Sequence, residues 1–134
     1  MFSFIFVSGI FISLFLAPLL GMAQTHHVEI ESQAQAPKLV ELTHFQLVAD
    51  AEESHFLQAA KEMEKGFLAH QTGFIQRTLV RKEGKWVDIV YWQDQDSMEA
   101  AMQKAESAPA AGSFLHMIDF STVEMNLYEV GLHE

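Results

Sequence analysis

The sequence predicts an α+β domain of β-α-β-β-α-β order, the ferredoxin-like split βαβ arrangement. Three observations predict it. Apolar spacing along residues 39–134 alternates between the period of a strand and that of a helix. A Glu83-Gly84 pair separates two strand-like runs as the turn of a hairpin. Acidic residues stand at the starts of both long helical stretches, where they can accept hydrogen bonds from free backbone amides.

Leu39–Val48 (LVELTHFQLV) is rich in β-forming apolar residues and reads as the first strand. Asp50, with Glu53 three residues on, predicts the capping box of the first helix. Phe56, Ala60, Met63, Phe67 and His70 follow at spacings of four and three, so they share one face. Gly73 then introduces a strand over Phe74–Arg81, and Lys85–Gln93 (KWVDIVYWQ) is its return partner. Asp94 or Asp96 caps the second helix, and the spacing to Glu99 favours Asp96. Its apolar stripe is Met98, Ala101, Met102 and Ala105. Ser107-Ala108-Pro109 starts a short helix reaching about Met117. The last strand is Ser121–Val130, where Val123, Met125 and Leu127 alternate with polar neighbours. Trp86-Val87 and Ile89–Trp92 are apolar on both sides, which one layer of helices cannot cover. A second sheet must cover the other face, most simply that of a twin subunit, so a homodimer is expected.

The chain has 134 residues, 49% hydrophobic, with 18 acidic and eight basic residues and no Cys. A formal charge of −10 disfavours phosphate-neutralising contact with nucleic acid and docking on anionic lipid. Without Cys there are no disulfides, thiolate metal sites or lipidated cysteines. Seventeen of residues 1–23 are hydrophobic and none is charged, and Gly21 and Ala23 are the small residues of a cleavage site. This predicts a signal peptide cleaved after Ala23, with an uncleaved anchor as the competing reading. Residues 24–38 read as a polar linker. The expected product is secreted, into a periplasm-like compartment, with no stable membrane anchor after cleavage. Cleavage there would also free Gln24-Thr25-His26, whose nitrogens could form a square-planar copper site. No metal site is expected in the domain.

Asp88-Ile89-Val90-Tyr91-Trp92, an acidic capped helix, Phe114–Asp119 and Ser121–Met125 together resemble the dimeric α+β barrel superfamily. More narrowly they resemble the antibiotic biosynthesis monooxygenase group, over roughly Leu39–Leu132. That resemblance implies a pocket between sheet and helices and a small apolar or aromatic partner molecule. It also implies O2 chemistry with no cofactor, although the group includes haem-degrading enzymes and members without assigned activity. The haem-degrading branch uses an Asn on the first strand with a Trp and a His. Here the first strand has His44 and Gln46, and the sole Asn is Asn126.

The expected catalytic groups are His116 and His44, since a neutral imidazole can take an acidic proton from a phenol or enol. Trp92 and Tyr91 are expected to hold a flat ligand, joined by His70, Phe67, Met63 and Phe114. The plainer reading of each is a core or solvated residue, and a Met and Phe stripe at helical spacing is ordinarily packing. Arg77 and Arg81 share a face of the second strand, as solvated edge charge or as contacts to an acidic ligand or partner. A non-catalytic periplasmic ligand-binding or haem-binding module is the alternative to the monooxygenase.

Overall fold

In the computed structural model, residues 35–134 are described. The predicted export segment and residues 24–34 of the linker, including the copper motif, lie outside them. Residues 35–38 lead irregularly into the first strand, where the Lys38 amide donates to the Trp92 carbonyl at 3.0 Å.

Four strands form: β1 (Leu39–Leu47), β2 (Phe74–Lys82), β3 (Lys85–Trp92) and β4 (Ile118–Glu129). They make one antiparallel sheet in the order β2-β3-β1-β4. The helices are α1 (Glu53–Gly66), α2 (Gln95–Ala105) and α3 (Pro109–Leu115). This is the expected ferredoxin-like arrangement, with the helices on one face of the sheet. Among the described residues no helix is long and apolar enough to cross a membrane.

Period-two alternation fixes which side chains meet the helices. Register pairs Leu39 with Trp92, Glu41 with Val90, Thr43 with Asp88 and Phe45 with Trp86, so these eight share the helix side. Val40, Leu42 and His44 point the other way, beside Tyr91, Ile89 and Val87. The core on the helix side centres on Phe56, which is fully buried. Its ring lies 4.8 Å from Trp86, 5.2 Å from Phe114 and 5.8 Å from Phe45. Aromatic contacts of this kind add to the burial term.

The caps differ from expectation. Asp50 lies in the turn before α1, whose N-cap is Glu52 with no side-chain hydrogen bond. At α2 the cap is Asp94, not Asp96. Asp94 has an extended backbone and accepts from the Ser97 amide at 2.8 Å, whereas Asp96 is already in the first turn. That hydrogen bond holds the Asp94 carboxyl below its ordinary value. Helix α1 stops at Gly66, and a 3-10 turn follows over Leu68–His70. His70 therefore leaves the buried stripe and is exposed.

Two turns require positive φ. Glu83 (51°) and Gly84 (77°) close the β2–β3 hairpin in two residues, as the right-handed sheet twist favours. Gly73, at 76°, starts β2 against α2, and a Cβ there would sit 2.3 Å from Ser97 Oγ.

Candidate functional site

The helices leave a cavity of about 320 Å³ over β1 and β4. Its floor is buried and mostly apolar: Phe45, Met63, Phe114 and Ile118. Met102, Glu106, Phe120 and Met125 are exposed around its mouth. A smaller hollow of about 70 Å³ shares Glu41, Met63, Asp88, Met102 and Ala105 with it and reaches Phe67 and Trp92. Trp92 and Phe67 thus close one end of a continuous cleft.

An interruption in β4 shapes the mouth. Pairing with β1 jumps from His44↔Glu124 to Gln46↔Asp119, leaving extra residues on the β4 side. Thr122 fills the gap: its hydroxyl accepts from the Gln46 amide at 2.9 Å and donates to the Asp119 carbonyl at 2.6 Å. Such irregularities re-aim side chains beside sites. Here Phe120 is turned out to the rim, 64% exposed.

Two carboxylates lie on the helix side of the sheet. Asp88 is 8% exposed. It receives a two-pronged grip from Arg77, Nε to Oδ1 at 2.8 Å and a terminal nitrogen to Oδ2 at 2.6 Å. Arg77 also donates to the Ala60 carbonyl of α1 at 3.0 Å, and its guanidinium lies 4.6 Å from the centre of the Phe114 ring. The Arg77 side chain is only 2% exposed. It is therefore neither solvated edge charge nor a free anion contact. Arg81, four residues further along β2, is exposed, pairs with Glu53 and lies over Trp86.

Glu41 is the second carboxylate, half-buried and lining both hollows. Trp92 Nε1 donates to its Oε2 at 3.0 Å, and the Thr43 hydroxyl donates to Oε1 at 3.4 Å. Burial pushes its carboxyl above the ordinary value, against the Trp92 hydrogen bond, and the charge of Asp88 adds to the rise. A half-buried carboxyl with raised proton affinity, facing an apolar hollow, is suited to proton transfer with a bound molecule.

The expected site residues divide. Met63, Phe67, Trp92 and Phe114 meet at this cleft. Tyr91 does not, because it occupies the opposite face of β3. His44 is exposed on that same face, in an open polar depression of about 410 Å³ with Gln46, Lys85, Thr122 and Glu124. His116 is exposed after α3, in a separate depression with Asp50 and His55. His70 is exposed on the 3-10 turn. No histidine lines either hollow of the cleft. Among the described residues, no cluster of three or more His, Asp or Glu is placed to hold a metal ion. Sequence reasoning missed Glu41, Thr43, Asp88 and the burial of Arg77. Their signal was parity: Glu41 and Thr43 fall between inward Leu39 and Phe45, and Asp88 between inward Trp86 and Val90.

The family model for antibiotic biosynthesis monooxygenases matches residues 39–111, more than half of the chain. The chain belongs to the antibiotic biosynthesis monooxygenase family. The matched span of this family member carries Glu41, Arg77, Asp88 and Trp92. Among curated proteins no match reaches significance. Among solved structures, SnoaB from Streptomyces nogalater, a cofactor-independent oxygenase, is 22% identical with a TM-score of 0.59, covering 73% of this chain and 97% of that one. A proposed antibiotic biosynthesis monooxygenase from Bordetella bronchiseptica is 16% identical, with TM-score 0.58 and coverage of 72% and 100%. A dimeric ferredoxin-like protein from an uncultured marine organism is 6% identical, with TM-score 0.53 and coverage of 75% and 94%. At these identities the likeness is one of fold.

Proposed function

We propose that this family member is an oxygenase that needs no cofactor and acts on a flat aromatic or enolisable molecule held in the cleft, with Glu41 as the base. The observation that carries the proposal is Glu41 itself, a carboxylate with raised proton affinity, held by Trp92 beside an apolar cavity. It replaces His116 and His44 in that role, since neither lines the cleft. Glu41 removes a proton from an activated methylene group of the substrate. The anion passes one electron to O2, and the resulting radical and superoxide combine to a peroxide. The peroxide takes back a proton and loses water, leaving a carbonyl. In sum, one methylene group and one O2 become one carbonyl and one water, with one oxygen atom in each product.

The test is oxygen uptake with 1,8-dihydroxyanthrone, whose acidic methylene group fits this chemistry. One O2 consumed per anthrone, with the anthraquinone as product and a rate above the spontaneous one, is expected. Saturable quenching of Trp fluorescence without uptake would leave a binding module. The absence of both uptake and binding would overturn the proposal.

The reading includes a homodimer of an exported chain. The helix-free face carries Val40, Leu42, Val87, Ile89 and Tyr91, with exposed Val80 and Tyr128 in register on the flanking strands. An apolar sheet face of this kind is what two copies can cover mutually. The fold relative described as dimeric supports this. Native mass spectrometry of the exported protein tests both points together. A dimer of chains lacking residues 1–23 is expected; a monomer overturns the assembly, and an intact N-terminus overturns the cleavage.

A further inference from the structure

Resting on the site just proposed, the charge arrangement bears on which ligands can enter it. Three acids line the two hollows, Glu41, Asp88 and Glu106, and no Lys, Arg or His lines either. The cation beneath the site, Arg77, is already engaged. Its Nε and one terminal nitrogen hold both oxygens of Asp88, its other terminal nitrogen holds the Ala60 carbonyl, and its face lies on Phe114. An incoming carboxylate could reach that guanidinium only by displacing a buried, doubly bonded partner. Glu41 presents acceptor oxygens, with one protein donor at each. An ionised carboxylate can accept further hydrogen bonds and cannot donate any. The rest of the lining is apolar apart from Thr43. The chain as a whole is also strongly acidic, which lowers the concentration of anions near its clefts.

We propose that this cleft admits uncharged aromatic molecules and excludes anions. A phenol hydroxyl donates to Glu41 while its ring lies among Met63, Phe114 and Ile118. A ligand carboxylate meets like charge at the mouth, at Glu106, and again inside, at Glu41. It finds no counter-charge to offset the loss of its hydration. Ligands with two carboxylates are excluded more strongly than those with one.

The experiment titrates the full chain at neutral pH with three probes, following quenching of Trp fluorescence. They are 1,8-dihydroxyanthraquinone, its 3-carboxylic acid and the methyl ester of that acid. The acid is expected to bind at least tenfold more weakly than the parent, and the ester within about threefold of it. In Glu41→Gln/Glu106→Gln the deficit of the acid should shrink to a few-fold. Acid and parent binding equally would overturn the charge selection and leave the site standing. An ester as weak as the acid, or a deficit unchanged in the double variant, would make the exclusion steric and overturn it as well. If none of the three binds, both the selection and the site fall.

Discussion

Arg77→Met is expected to cost the fold roughly 3–5 kcal/mol, because it strands Asp88 as an unpaired charge in the helix–sheet core. The Arg77 side chain is 2% exposed and that of Asp88 12%, so water cannot take over the lost contacts. The change also removes the tie to the Ala60 carbonyl and the cation stacked on Phe114, loosening α1 and α3 where they cover the cavity. Domains of this size are usually held by about 5–15 kcal/mol in all, so the variant should be near the edge of folding at ordinary temperature. Urea melts measure the loss. Arg77→Met/Asp88→Leu should recover much of it, since replacing both charges removes the desolvation penalty together with the attraction. A melt midpoint within experimental error of the parent's would show that the pair contributes nothing.

Glu41→Gln is expected to lower oxygen uptake about 10²–10⁴-fold, the usual contribution of a placed general base, while leaving binding of 1,8-dihydroxyanthraquinone nearly intact. In the parent, kcat/KM should rise with pH as Glu41 ionises, on a limb displaced above the ordinary carboxylate range, because burial raises its proton affinity. The same displacement gives stability a sign. Between the ordinary value and the raised one, the folded state holds a proton that the unfolded state has released. Stability therefore falls as pH rises through that window, and Glu41→Gln should flatten the slope and be the more stable form above it. Thermal melts of both proteins across pH check this. Uptake unchanged in Glu41→Gln would remove the residue from the reaction whatever the melts show.

The order of elements was legible because it depends on repeated patterns. The apolar run Lys85–Trp92, the Glu83-Gly84 turn and the stripe through Phe56 and Met63 each agree with the element formed there. The apolar lining of the candidate cleft was legible for the same reason, as Met63, Phe67, Trp92 and Phe114 are core-facing positions that border a gap. The polar half was not. A charged residue in a strand ordinarily marks the solvent side, and three long-range bonds make Glu41 and Asp88 exceptions: Trp92 to Glu41, and the two from Arg77 to Asp88. Each joins residues on different strands, so neither partner predicts the other locally. The histidines fall outside the cleft for a related reason. Their chemistry suggested a site, but His70 lies beyond the end of α1, and His44 alternates with inward Phe45.

The Arg77–Asp88 pair also restricts how this sequence can diverge. A lineage that loses either member first passes through a poorly folded intermediate, so positions 77 and 88 should be inherited and replaced as a unit. Position 41 carries no such tie, since its partners Trp92 and Thr43 are neutral and tolerate a neutral acceptor there. On the proposed reading, a single substitution at 41 would then gain or lose the chemistry of the cleft without disturbing the Arg77–Asp88 pair.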